Sequence, residues 1–387
     1  MRILQAIPSM DPTGGGTTEG VVQQSIALKN LGHTVEVVCS DDPNENFLTS
    51  YPLRIHAMGP ASGKFCYTPK LIPWLMSNAA AFDIVIVNGL WQYNSFAVHK
   101  AMKRLKRPYI VFTHGMLSPW FKKEYPLKHL KKWLYWPWAD FRVLRDANAV
   151  LFTCDEERIL AKQSFWLYRA NEVVANYGTA GPVGNRECQL QALYAEYPDL
   201  IHAPMLLYLS RIHPVKGCDL LIKAFAKVSA SNPSIRLVMA GPDQTGWKGE
   251  LERLAESLGI SGRIVWTGML SGDLKWGAYF ACDAFVLPSH QENFGIVVAE
   301  ALACGRPVLI SNKVNIWREI EAAGAGIVDE DTQVGATAML ETWLNLPREA
   351  REHMAERARQ CFLDHFEIEK SAQTLLAILE KYVLPKS

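Results

Sequence analysis

Residues 284–300 read Ala-Phe-Val-Leu-Pro-Ser-His-Gln-Glu-Asn-Phe-Gly-Ile-Val-Val-Ala-Glu. Residues 284–287 form an apolar strand pattern, 288–291 a turn, and the remainder runs into a helix. Two carboxylates, Glu292 and Glu300, bracket the helix entry. A strand–turn–helix leaves free backbone N–H groups and the positive end of the helix dipole beside Glu292. Such a site can hold an anion on its N–H groups while the two carboxylates accept hydrogen bonds from hydroxyls. A nucleotide sugar, with a diphosphate in the middle and polyols at both ends, is a ligand of that kind.

The same alternation recurs along the chain. Apolar runs at 3–7, 34–39, 84–88, 109–113, 149–153 and 173–175 are each followed by a turn and an amphipathic stretch. A second series lies at 205–209, 236–240, 264–267, 284–287, 307–310 and 326–328. Continuous Val- and Ile-rich strands separated by helical patterns predict parallel sheets covered on both faces. The expected fold class is therefore α/β, with two doubly wound, Rossmann-like domains. The polar stretch 181–203 interrupts the alternation and reads as a linker between domains at 1–180 and 204–366. Ligands of open α/β sheets bind beyond the carboxyl ends of the strands. Two such domains facing each other would form a cleft, lined by loops that follow strands.

Composition narrows the classes. The chain of 387 residues is 49% apolar and 20% charged, long enough for two cores and globular in character. A net charge of +1 argues against a nucleic-acid scaffold. The eight cysteines include no C-x-x-C pair, which fits free thiols in a reducing cytoplasm and not a disulfide framework or zinc site. The N-terminal apolar run is broken by Pro8, too early for a signal peptide, and no run reaches membrane-spanning length.

The run Pro288-Ser289-His290-Gln291-Glu292-Asn293-Phe294-Gly295, continued by Ala299-Glu300-Ala301-Leu302-Ala303-Cys304-Gly305-Arg306-Pro307-Val308, resembles the signature of the family 4 retaining glycosyltransferases. That resemblance implies the GT-B fold and a C-terminal helix, 367–387, packing back on the first domain. It also implies transfer of a hexose from a nucleoside-diphosphate sugar to a hydroxyl, with retention of configuration and no required metal or cofactor.

Further motifs extend the resemblance. Ser210-Arg211-Ile212-His213-Pro214-Val215-Lys216-Gly217 follows a strand and resembles the family's Arg/Lys pair. Arg211 offers a fork of donors and Lys216 a mobile point charge, both suited to a diphosphate. Fixed cations stabilise the charge left on the departing nucleotide. The resemblance implies that Glu292, with N–H groups around Asn293, Phe294 and Gly295, binds the transferred sugar, and that Glu300 binds the ribose. It places the base against Thr267, Gly268, Met269 and Leu270. His114, in Thr113-His114-Gly115, matches a family histidine near the donor sugar; the sequence fixes neither its partner nor its protonation. After the first strand, 11–20 carries the glycine triplet 14–16, and Gly15 and Gly16 are expected to approach the donor phosphate. That loop lacks the ending of a P-loop and fails the dinucleotide fingerprint, which disfavours an NAD-dependent dehydrogenase. Asp329-Glu330-Asp331 contains an Asp-x-Asp string but reads as a charged helix start.

Residues 116–145 combine Trp120, Trp133, Trp136 and Trp138 with several lysines and arginines. This suits the headgroup zone of an anionic membrane and a lipid-linked saccharide acceptor of bacterial polysaccharide synthesis. The same composition fits an ordinary helix with buried tryptophans and solvated lysines. The expected partners are thus a nucleotide-sugar donor, a glycan or lipid-linked acceptor and peripheral contact with a membrane. The alternative function is a GT-B nucleotide-sugar epimerase or sugar phosphorylase.

Overall fold

The computed structural model describes residues 1–383. The chain divides into two compact units, residues 1–178 with the segment from Ile368 onward, and residues 179–367.

Among the described residues the first unit holds seven parallel strands: β1 (Arg2–Ala6), β2 (Thr34–Cys39), β3 (Arg54–Ala57), β4 (Ile84–Asn88), β5 (Tyr109–Phe112), β6 (Ala149–Phe152) and β7 (Glu172–Val174). Their order is β3-β2-β1-β4-β5-β6-β7. Every residue of β4 is buried, as a central strand covered on both faces requires. One core side, from Leu4 through Val87 to Phe152, packs on helices including Tyr93–Leu105. The other, around Ile7, Val21 and Val37, lies beneath helix Gly16–Asn30. Helix Ile368–Glu380 also packs on Gly16–Asn30. Its apolar stripe, Ala372, Leu375 and Leu379, is fully buried. The sequence reading carried this element to 387; residues 384–387 lie outside the described residues.

The second unit holds β8 (Met205–Leu209), β9 (Arg236–Ala240), β10 (Ile264–Gly268), β11 (Ala284–Leu287), β12 (Val308–Ser311) and β13 (Gly326–Asp329), all parallel, in the order β10-β9-β8-β11-β12-β13. Buried Tyr208, Phe225, Tyr279 and Phe285 fill its core.

Two expectations change. The edge strand β3 was not read from the sequence: Arg-Ile-His-Ala is short, polar and only partly covered. Residues 181–203, read as a linker, carry helix Arg186–Glu196 as part of the second unit. Asn185 caps it by accepting from the N–H groups of Glu187 and Cys188 at 2.8 and 3.1 Å. Leu193 is fully buried, and Gln189 donates to Asp273 at 3.1 Å, so the helix is docked on Gly272–Ala281.

Candidate active site

In both sheets the strand order reverses once, between β1 and β4 and between β8 and β11. Loops leaving the two strands run to opposite sides of the sheet there, which is where ligands of open α/β sheets bind.

In the second unit, Lys216 and Glu292 sit on the two diverging loops. Lys216 ends the turn Pro214–Lys216 after β8, and Glu292 follows β11. Their side chains meet, Nζ to Oε2, at 2.5 Å. Lys216 is almost completely buried; Glu292 keeps one fifth of its side chain exposed. Gly217 makes this approach possible. Its φ is +67°, and a Cβ there would lie 2.2 Å from the carbonyl oxygen of Pro288 on the other loop. The Glu292 backbone is pinned on both sides, its N–H donating to Lys313 O and its carbonyl accepting from Asn315 N.

Three residues on, Gly295 at φ +70° opens helix Ile296–Ala303. The N–H groups of Ile296 and Val297 belong to the first turn of that helix, where backbone donors lack intrahelical partners. Asn293 accepts from Asn315 Nδ2 at 3.1 Å. Phe294 is buried edge-on against Phe366, so its ring is spent on packing and is not presented to a ligand. Glu300, on the same helix, is buried, with one oxygen on Lys275 Nζ at 2.8 Å and the other on the Tyr279 hydroxyl at 3.0 Å. Burial and the Glu300 carboxylate push the Tyr279 hydroxyl well above the usual phenol range, which keeps it a donor.

Arg211 stands apart from the Lys216–Glu292 pair, exposed, with Nη1 on Gln244 at 3.2 Å. At the end of β10, Thr267 and Gly268 lie at the strand edge, and the Gly268 carbonyl accepts from Gly241 N. Met269 is three-quarters exposed, whereas Leu270 is buried and can offer only backbone. The Asp-x-Asp string does not form the helix start. Thr332 caps helix Gln333–Asn345, while Asp331 turns to His290 Nδ1 at 2.9 Å, with Lys313 beyond at 3.9 Å. Among the described residues no three His, Cys, Asp or Glu side chains gather as a metal site.

In the first unit, Gly15 (φ +81°) precedes helix Gly16–Asn30, and both Gly15 and Gly16 are exposed with open space where a Cβ would stand. His114 sits in left-handed backbone, φ +48°, just beyond β5. Its Nε2 donates to Asn88 Oδ1 at 3.0 Å; Asn88 Nδ2 donates to Gln5 Oε1 at 2.8 Å; Gln5 Nε2 donates to Gln24 Oε1 at 3.2 Å. The three amides are buried, and their shared direction puts the imidazole proton on Nε2. Nδ1 is then an acceptor. Burial lowers the His114 pKa to about 4, so the ring is neutral at physiological pH. It stacks on Phe112 with ring centres 5.2 Å apart and meets Tyr177 edge-on at 5.7 Å.

Sequence reasoning missed what holds this turn. Glu157 is buried and accepts from Thr113 Oγ1 and Gly115 N, both at 2.6 Å, and from Thr153 N and Oγ1 at 2.8 and 2.7 Å. It thereby clamps the residues on either side of His114. In the sequence Glu157 is only the third acid of a helix start, Asp155-Glu156-Glu157, and carries no visible signal.

Comparison with known proteins agrees with this geometry. Residues 202–361 match the family described as glycosyl transferases group 1, and residues 15–178 match the glycosyl transferase 4-like domain. The chain is 35% identical over 135 residues to a D-inositol 3-phosphate glycosyltransferase of Geodermatophilus obscurus, covering 33% of this chain and 30% of that protein. It is 28% identical over 227 residues to an alpha-D-kanosaminyltransferase of Streptomyces kanamyceticus, covering 57% of each. The matches thus span between about a third and just over half of those relatives' lengths. Among solved structures, HepE of Anabaena in complex with UDP superposes with a TM-score of 0.79 at 18% identity, covering 98% of this chain and 100% of that one. Sucrose-phosphate synthase of Thermosynechococcus elongatus superposes with a TM-score of 0.73 at 18% identity, covering 98% of each. At that identity the superpositions establish the fold alone. Both units carry the sheet order of the GT-B fold, both are matched by glycosyl transferase families, and the chain belongs to the group 1, family 4-like glycosyl transferases.

Proposed function

We propose that this protein is a retaining, metal-independent hexosyltransferase. It moves a hexose from a nucleoside-diphosphate sugar to a hydroxyl of a glycan or lipid-linked saccharide, in bacterial cell-surface polysaccharide synthesis, in peripheral contact with the membrane. The observation that carries the reading is the Lys216–Glu292 pair at the β8/β11 switch point, beside the N–H groups that follow Gly295.

The pair divides the work on a donor. Lys216 Nζ is held by Glu292 in a buried position and supplies fixed positive charge as the sugar–phosphate bond breaks. Arg211, exposed on the same loop, is free to swing onto the diphosphate. The helix N-terminus at Ile296 adds backbone donors. These fixed cations and donors offer the neutralisation that a divalent ion gives in other transferases, and Asp331 is engaged by His290. Glu292 keeps a partly exposed carboxylate to accept from sugar hydroxyls. Glu300 retains lone pairs beyond those used by Lys275 and Tyr279, suited to the two ribose hydroxyls. His114, neutral with Nδ1 as acceptor, suits a hydrogen bond from a sugar hydroxyl and not proton abstraction as a charged acid–base pair. Retention follows from attack on the face the nucleotide leaves, with the departing phosphate taking the acceptor proton.

The test is product analysis. The full chain is incubated with nucleoside-diphosphate hexoses and a bacterial lipid-linked saccharide extract in EDTA. The expected result is nucleotide release matched by a glycosylated product whose new linkage keeps the donor's anomeric configuration by NMR. An inverted linkage, or turnover that stops in EDTA and returns with Mg²⁺ or Mn²⁺, overturns the reading.

A further inference from the structure

Helix Pro126–Tyr135 in the first unit is turned inside out. A surface helix of a globular protein normally sets its apolar stripe on the core and its charges outward. Here none of the helix residues is buried. Leu127, Leu130 and Leu134, spaced i, i+3 and i+7, fall on one face and are 78%, 55% and 63% exposed. The inward side carries His129, whose ring stacks on Phe165, and Lys132, whose ammonium lies 4.4 Å from the ring centre of Trp91. Polar groups thus occupy the protein side while leucines face out. Trp138 and Trp166 are also 70% and 67% exposed, and Trp166 lies against Trp133 of the same helix with ring centres 6.2 Å apart. A groove of about 650 Å³ runs beside it, lined by Leu130, Trp133, Trp166, Lys122 and Lys162.

Charge identifies the occupant. Lys122, Lys123, Lys128 and Lys131 are exposed around the leucines, and Glu124 is the one acid between residues 120 and 138. The chain as a whole carries only +1, so this lysine cluster does not simply reflect a basic composition. An isologous pairing of two copies would set lysines against lysines. An anionic bilayer meets both demands at once, taking the leucines and indoles below its headgroups and the lysines among its phosphates.

We infer that the outward face of residues 120–138, with Trp166, is a docking surface for an anionic lipid bilayer, with Leu127, Leu130 and Leu134 as the inserted row. This deepens the lipid-linked acceptor reading above and rests on it. No helix among the described residues is long and apolar enough to cross a membrane, and an in-plane helix needs no such length.

The experiment is sedimentation of the full chain with vesicles of phosphatidylcholine, with or without phosphatidylglycerol. Binding to the mixed vesicles is expected to be at least about tenfold tighter. Leu130→Glu/Leu134→Glu and, separately, Lys122→Glu/Lys123→Glu should each weaken it by about tenfold or more. Both variants should keep the thermal shift that a nucleoside diphosphate gives the parent, because neither touches the donor residues. That readout separates failure of this surface from failure of the transferase reading. Equal binding to both vesicle types, or binding indifferent to both variants, overturns the inference. So does a dimer, seen without vesicles by sedimentation velocity, that Leu130→Glu/Leu134→Glu dissolves.

Discussion

Lys216 Nζ and Glu292 Oε2 lie 2.5 Å apart although 76 residues separate them in the chain. The ammonium is almost wholly buried, so removing either partner leaves the other without its counter-charge in a poorly solvated place. Lys216→Met and Glu292→Gln should each lower the melting temperature, and the double variant should lower it by less than their sum. The coupling expected for such a contact is about 1–3 kcal/mol, read from a double-mutant cycle in denaturant. In the transfer assay each single variant should lose about 100-fold or more in kcat. Additive stabilities would show that the pair does not act as a unit.

The neutral state of His114 makes a prediction about pH. Its folded pKa, about 4, lies below the ordinary 6.5, so between those values the unfolded chain binds a proton that the native state does not. This contribution is fully present above pH 6.5 and is lost as pH falls through 4. His114→Gln removes it, and the variant's melting temperature should fall less steeply from pH 7 to 4 than the parent's. His33, His99, His129 and His213 are also lowered, chiefly by burial, but act equally in both proteins and cancel in the difference. An identical slope would mean that the imidazole titrates normally.

Gly20, on helix Gly16–Asn30, reports on the same ring from behind. A Cβ there would stand 1.7 Å from the Tyr177 hydroxyl, and Tyr177 packs edge-on against His114. Gly20→Ala gains roughly 1 kcal/mol of helix propensity but costs about 1–3 kcal/mol in overpacking a buried ring. The expected outcome is a small net change in stability with a disproportionate fall in transfer, since the displaced tyrosine unseats the histidine. Unchanged activity would separate Tyr177 from the site.

Glu157 tests whether the backbone of the His114 turn needs its clamp. Glu157→Ala strips acceptors from Gly115 N and Thr153 N in the interior, a loss of about 2–4 kcal/mol when several buried donors are affected. Glu157→Gln restores the shape and one acceptor oxygen and should recover most of the stability. Because Glu157 is buried and engaged by Thr113, Gly115 and Thr153, the conservative variant should also recover kcat. Failure of Glu157→Gln to rescue either quantity would give Glu157 a role beyond holding the turn.

Much of the architecture was legible because parallel strands buried on both faces write themselves as unbroken apolar runs. Ile84–Asn88 and Ala284–Leu287 are such runs, and each is fully buried. Arg54–Ala57 escaped because an edge strand needs no such run. Helix Arg186–Glu196 escaped because only Gln189 and Leu193 on it are buried, too sparse a stripe to read as a period. At the site, the sequence located Lys216, Glu292 and His114 as loop residues after strands. It could not show that Lys216 closes on Glu292, since that contact depends on the strand order that makes β8 and β11 neighbours. Nor could it fix the proton on His114, which depends on Asn88, Gln5 and Gln24, unremarkable amides on three separate elements.

A nucleoside-diphosphate site built on Lys216 and its neighbours is tested most directly by thermal melting. The full chain and its Lys216→Met variant are melted with UDP, GDP and ADP in EDTA. Ligand binding to the native state raises the melting temperature in proportion to RT ln(1 + [L]/Kd). One of the three nucleotides should raise the parent's melting temperature in EDTA and leave the Lys216→Met variant unmoved. A shift of equal size in the variant, or a shift that appears only when Mg²⁺ or Mn²⁺ replaces EDTA, would contradict it.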